Sequence, residues 1–129
     1  MKLKKSTLEV FSSALAGTEG VLGLADARIR DRFAKELKEA TDLFIAEREK
    51  IYLKFCLKNK KGAPDLLNGT QYQFKREVVD EMMPEIKLLD EEEVELSDQP
   101  KIKEYLDKTE YTPKIGEAEI IDEIISQFK

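Results

Sequence analysis

The sequence predicts a mainly α-helical protein with a small β-hairpin or three-stranded element, an α+β fold, as a single domain over residues 1–129. Three observations carry that expectation. From about Val21 to Leu57 there is no proline, and after Gly23 no glycine, while apolar residues recur at Ala25, Ile29, Phe33, Leu37, Ala40, Phe44, Ile51 and Phe55. Their spacing is about 3.75 residues per turn, near the helical period and far from a strand's 2. Asn68-Gly69, flanked by short alternating segments, is the preferred two-residue hairpin turn because both positions need positive φ. Finally, 129 residues is one domain's worth of chain.

The elements follow in order. Met1-Lys2-Leu3-Lys4-Lys5 before Phe11 to Ala16 imitates a secretory leader, but Glu9, Thr7, Ser12 and Ser13 interrupt the apolar run. The expectation is a short helix instead. Ser6 to Glu9 would form its capping box, and Leu8, Phe11 and Leu15 would share a face. Gly17 to Gly20 breaks it, and a long N-terminal helix of about 30 residues follows. Its period exceeds the 3.5 of a left-handed coiled coil, so its stripe should lie against the chain's own smaller elements. At 1.5 Å per residue it would reach roughly 50 Å, more than a compact domain of this size needs. Either it protrudes and offers a partner surface, which is the expectation, or it breaks near Thr41-Asp42. Its other face carries i,i+4 pairs: Asp31–Lys35, Arg32–Glu36, Lys35–Glu39 and Lys38–Asp42.

Lys58 to Pro64 ends the helix, cations suiting its C-terminal dipole and Gly62 then Pro64 stopping it. Asp65 to Phe74 reads as the hairpin. A third helix uses Phe74, Val78, Met82, Ile86 and Leu89, with Pro84 expected to kink or end it. Asp90 to Leu96 turns extended and is positioned to add a strand to the hairpin. Ser97 would cap a fourth helix carrying Ile102, Tyr105 and Leu106. After a linker or short edge strand from Tyr111 to Gly116, a last helix would bury Ala118, Ile121, Ile124, Ile125 and Phe128.

Composition excludes several chemistries. There is no histidine, which removes every triad, dyad or metal site that needs imidazole. One cysteine, Cys56, allows no intrachain disulfide and fits a buried structural thiol better than a nucleophile. No apolar run approaches the roughly 20 residues of a membrane span. Gly17 to Gly23 lacks the preceding strand and the Lys-Ser/Thr of a phosphate loop, and reads as an interhelical turn. The acidic run Asp90 to Glu95 lacks the glycine and the alternation of an EF-hand. Nothing marks two carboxylates as partners in a pocket. No enzyme activity, cofactor or metal is expected.

Charge is unevenly distributed. Residues 1–76 hold 16 bases and 10 acids, net +6, whereas residues 77–129 hold 6 bases and 17 acids, net -11. Such a dipolar chain can steer partners, order itself head to tail, or mimic a polyanion with its C-terminal half. Arg28, Arg30 and Arg32 scatter around their helix among acids and read as a solvated face. Lys54, Lys58, Lys60, Lys61, Lys75 and Arg76 flank Tyr52, Tyr72 and Phe74, the one cation-and-aromatic cluster. Phosphate contact with base stacking is its functional reading, and a helix end and hairpin tip kept soluble is the preferred one.

The chain resembles a loosely defined family of small, uncharacterised phage and prophage proteins of Gram-positive bacteria. The likeness runs from about Leu22 to the C-terminus, on Arg32 to Leu37 leading into Glu47 to Ile51, the glycine hairpin, Phe74 to Glu77, Glu92 to Leu96 and Gly116 to Asp122. Pro84 to Asp90 stands as an insertion in that pattern and leaves the third helix's length open. The resemblance implies a phage or prophage origin, often near tail or lysis genes, and carries over no site residues. The expected function is therefore a non-enzymatic accessory protein acting by protein–protein contact or self-association, in virion or tail assembly. It would work in the host cytoplasm or on the virion, without nucleic acid or membrane as partner. The candidate interaction residues are Ile29, Phe33, Phe44, Ile51 and Phe55 on the ridge, Lys58, Lys60 and Lys61 at its end, and Asp90, Glu91, Glu92 and Glu93 in the acidic run. The alternative expectation is an acidic inhibitor of a host nucleic-acid-binding enzyme, using residues 77–129 as a polyanion mimic. A weak nucleic-acid binder through Lys58 to Lys61 ranks third.

Overall fold

A computed structural model describes residues 1–128. In chain order it contains β1 (Lys2–Lys4), a 3-10 turn (Lys5–Thr7), α1 (Leu8–Ala16), α2 (Leu24–Phe55), α3 (Arg76–Glu91), β2 (Glu93–Glu95), α4 (Lys101–Asp107) and α5 (Glu117–Ser126). The fold is α+β and mainly helical, as its periodicity indicates. The long helix is a single 32-residue rod, unbroken at Thr41-Asp42, and spans roughly 48 Å.

The core is built around α1. Leu8, Phe11, Ala14 and Leu15 are buried on contact with α2, α4 and α5. The apolar run that imitates a leader is thus the hub of the hydrophobic core. Phe11 meets Phe33 of α2 with ring centroids 5.5 Å apart, and Leu37, Phe44, Ile102, Tyr105 and Ile124 complete the cluster. The C-terminal end of α1 is closed by the α4–α5 connection: the Thr109 hydroxyl donates to the Ala14 carbonyl, and the Glu110 N–H donates to Gly17 O at 2.9 Å. Terminal carbonyls without intrahelical partners are thereby satisfied. That closure needs a glycine at 17, because a Cβ there would sit 2.8 Å from the Tyr111 nitrogen and closer still to Thr109.

Several local expectations are corrected. The Ser6–Glu9 capping box does not form. A 3-10 turn runs into α1, the Thr7 hydroxyl donates to Lys4 O at 2.7 Å, and Glu9 accepts from Arg48 at 2.7 Å. Glu93–Glu95 does not extend the hairpin. It pairs antiparallel with Lys2–Lys4 in the register Lys2–Glu95, Leu3–Val94, Lys4–Glu93, because Leu3 and Val94 both turn onto the core. The 65–74 hairpin keeps its turn, with Asn68 at φ 53° and Gly69 at φ 74°, but its ladder shrinks to one Leu67–Gln71 bridge. Pro84 does not end α3, whose Met82, Ile86 and Leu89 anchor the helix on both sides of the missing N–H. Phe74 lies ahead of α3, outside its apolar face. Ser97 caps nothing: its N–H donates to Glu36 Oε1 at 2.8 Å, and α4 begins after Pro100. Ala118 is exposed, while Ile124 is the fully covered residue of α5. Of the i,i+4 pairs foreseen on α2, Lys38–Asp42 closes at 2.6 Å, whereas Glu36 serves Ser97 and Asp31 holds Arg30.

Among the described residues, no helix is long and apolar enough to cross a membrane. No buried side-chain nitrogen or oxygen among them lacks a hydrogen-bond partner.

Candidate functional site

The candidate residues fall in three places. Phe33 (4% exposed) and Phe44 (1%) lie in the core, so the proximal ridge cannot receive a partner. This corrects the reading of the ridge as one docking stripe. Its apolar period matches α1, which sits on it and covers it. Ile29 and Ile51 are half-buried against the same core, and Phe55 is half-buried beyond it. From Ile45 to Phe55 no α2 residue is fully buried, although the helix continues.

Two structures cover that distal stretch. The first is α3, which runs antiparallel to it: Lys54 Nζ pairs with Glu85 at 2.8 Å, and Ile51 lies beside Leu88 and Leu89 one turn away. The second is the 56–75 connection, folded back on itself. Leu57 N donates to Gln73 O at 2.7 Å, Asp65 N to Leu57 O at 2.8 Å, and Asn59 Oδ1 accepts from the N–H groups of Lys61 and Ala63. Cys56 is buried there, its thiol 3.6 Å from Leu53 O, as a structural cysteine would be.

In this lobe the lysines and the aromatics separate. Lys58 Nζ donates to Leu53 O at 2.7 Å and so closes the end of α2, which favours a cation. Lys60 and Lys61 stand exposed on the loop tip, and no carboxylate among the described residues pairs with their ammonium groups. Tyr52, Tyr72 and Phe74 instead pack on one another with centroids 5.8 to 6.5 Å apart. The Tyr72 hydroxyl donates to the Glu49 carboxylate, a bond that raises its pKa above the ordinary tyrosine value. The three rings are tilted against one another by 46 to 57° and are each half-buried, a small aromatic cluster that packs on itself.

The acidic run is largely matched by the N-terminus. Lys5 Nζ bridges Glu92 (2.8 Å) and Glu47 (3.0 Å), and its pKa is raised first by the hydrogen bond to Glu92. Lys4 lies opposite Glu93 and Lys2 opposite Glu95, while the Met1 amine donates to Leu96 O at 2.8 Å and to Asp98 at 2.9 Å. Asp90 is half-buried, and burial pushes its carboxyl pKa up against the opposing pull of Arg48. Glu91 is exposed. The sequence did hold a signal for this match. Lys2-Leu3-Lys4 and Glu93-Val94-Glu95 are both charged–apolar–charged triplets, of opposite sign.

Among the described residues no group of three cysteine, aspartate or glutamate side chains is placed to hold a metal ion. A cleft of about 340 Å³ between α1 and α2 has Leu15, Ala34 and Leu37 in its lining together with three carboxylates, Glu19, Asp31 and Asp42. The Ser12 and Thr41 hydroxyls on its wall are 3.2 Å apart; Thr41 donates to Leu37 O at 2.7 Å and so accepts from Ser12.

No protein-family model, curated protein or solved structure matches the chain.

Proposed function

We propose that this protein is a non-enzymatic accessory protein that works by protein–protein contact, in phage particle or tail assembly, within the host cytoplasm or on the virion. One observation carries the contact reading: α2 continues for eleven residues past Phe44 without burying a single one fully. A rod extended beyond its own core spends ordering entropy on residues that return little apolar burial. A partner that covers that stretch supplies the missing burial. The phage assignment rests on the sequence resemblance alone.

The polyanion-mimic alternative has less to support it. The run from Glu92 to Glu95 faces the lysines of β1 and the 3-10 turn, so its charge is locally offset. Beyond that run the outward acids include Glu77, Asp80 and Glu81 on α3, Glu104 and Asp107 on α4, and Glu119, Asp122 and Glu123 on α5.

Affinity capture from phage-infected cells tests the contact reading, using the intact chain and a Lys60→Glu/Lys61→Glu variant as parallel baits. Retrieval of a defined virion or tail component by the intact chain supports it. A chain that retrieves nothing and is also monomeric in solution overturns it.

A further inference from the structure

We infer that the uncovered outer row of distal α2, together with the lysine-rich turn that follows it, is a docking face for an acidic amphipathic helix of a partner protein. This deepens the contact reading above and rests on it.

Helical spacing sets the row. Leu43, Ala46, Lys50 and Leu53 follow one another at intervals of three and four residues, so they share one side of the rod over roughly 15 Å. All four are exposed, Leu43 at 62% and Leu53 at 38%. α3 packs beside Ile51 and Lys54, and the folded connection packs through Tyr52, which leaves the row open with Lys50 at its border with α3. Lys58 Nζ, on the carbonyl of Leu53 at 2.7 Å, carries the row into the turn. That turn is itself ordered. Asn59 Oδ1 accepts from the N–H groups of Lys61 and Ala63 at 2.9 and 3.2 Å, and the Gly62 N–H donates to Asn59 O at 3.0 Å. The backbone that presents Lys60 and Lys61 is therefore fixed before a partner arrives, which lowers the entropy lost on binding.

Charge indicates the occupant. Residues 1–49 hold nine bases and nine acids, whereas residues 50–76 hold seven bases and a single acid, Asp65. Lys54 is held by Glu85 within the molecule. Lys50, Lys58, Lys60, Lys61, Lys75 and Arg76 form no ion pair among the described residues. The nearest carboxylates along the chain, Glu49 and Glu77, lie at the borders of the stretch, and Glu49 accepts the Tyr72 hydroxyl. A surface that faces these cations is favoured when it carries carboxylates or phosphates. The two leucines decide between those. A nucleic acid offers phosphate to the lysines but gives little to exposed leucines on the row, and the rings of Tyr52, Tyr72 and Phe74 pack on one another. An acidic amphipathic helix answers both features. Its carboxylates reach Lys50, Lys60 and Lys61, while its apolar side meets Leu43 and Leu53 at matching helical intervals. It also adds burial to the part of α2 that the chain's own fold leaves without a fully buried residue.

Fluorescence anisotropy with the full chain tests this against three labelled probes of equal charge: a synthetic helix of glutamate and leucine, the same peptide with alanine for leucine, and single-stranded DNA. The leucine peptide should bind about tenfold more tightly than either of the others, because attraction to the lysines is common to all three and only the apolar contact discriminates. Lys60→Glu/Lys61→Glu should weaken its binding about tenfold, and Leu43→Ser about threefold. Both variants should keep the wild-type melting temperature, since these side chains are exposed. DNA or the alanine peptide binding as tightly as the leucine peptide overturns the inference. So does a leucine peptide that fails to bind, or one that binds the Lys60→Glu/Lys61→Glu variant as well as wild type. The capture experiment judges the contact reading separately. A virion component retrieved equally by the intact chain and by the Lys60→Glu/Lys61→Glu bait would uphold that reading while overturning this face.

Discussion

The two ends of α2 obey the same sequence rules and meet different fates. From Leu24 to Phe44 the rod is covered by α1 and its neighbours, and Phe33, Leu37, Thr41 and Phe44 are buried. From Ile45 to Phe55 it is covered by α3 and the folded connection, with Lys5 and Glu9 reaching only Glu47 and Arg48 at its start, and nothing on it is fully buried. Both halves carry aromatic residues at helical spacing. What differs is the supply of apolar partners. The proximal half meets α1, whose nine residues include five buried ones, while the distal half meets the amphipathic α3, whose outer row is acidic. An apolar stripe therefore states that a face prefers to be covered, and the neighbouring elements decide whether it is.

That contrast can be broken most directly by truncating one aromatic in each half. Phe44→Ala should cost about 3–5 kcal/mol of unfolding free energy, as for other fully buried phenylalanines. Phe55→Ala, half-buried and lying under the Lys54 ammonium, should cost about 1 kcal/mol. Urea denaturation of both variants measures the difference; equal costs would erase the distinction between the halves. The closure of the proximal body gives the next largest effect. Gly17→Ala forces a Cβ against Thr109 and the Tyr111 backbone and should destabilise by about 1–3 kcal/mol. The same substitution at Gly62, on the distal loop, meets no atoms within 4 Å, although its φ of 80° still carries some strain. Melting temperatures of the two variants sharpen the comparison.

Smaller effects come from charge. Lys5→Glu places a carboxylate between Glu47 and Glu92 where an ammonium now bridges them. Both partners are partly solvated, so about 1 kcal/mol is expected in low salt and less in high salt. At neutral pH the smallest effect belongs to Tyr105, whose hydroxyl donates to Asp26 at 2.8 Å and whose pKa is pushed up to about 12, first by burial and then by that bond. The unfolded tyrosine ionises near 10, so this contribution is intact below pH 10 and is lost as pH rises from there toward about 12. Tyr105→Phe should flatten that part of an alkaline denaturation curve. An unchanged slope between pH 10 and 12 would remove Tyr105 as its cause.

Much of the fold was legible because its signals are local. The 3.75-residue repeat of α2, the Asn68-Gly69 turn, the apolar face of α1 and the isoleucines of α5 each depend on a few neighbouring side chains and on backbone preferences. The candidate site was legible only in part. Lys60 and Lys61 are exposed as their composition suggests, but Phe33 and Phe44 are closed off by a helix lying 20 to 30 positions earlier in the chain. Ser97 and Glu9 were misread for the same reason. Each has a local role that its type favours, and each was taken instead by a distant partner, Glu36 in one case and Arg48 in the other.

Charge shows the division most clearly. By itself the sequence determined that helices would dominate, where the long one would run, and that bases and acids would gather in opposite halves of the chain. It could not determine where those charges would sit in space. Only the tertiary structure brought Lys2, Lys4 and Lys5 against Glu95, Glu93 and Glu92, some 90 residues away, and so turned a lopsided chain into a locally balanced surface. The physical reason is that strand register follows the burial of Leu3 and Val94 on a shared core, and the charged neighbours are carried along with them.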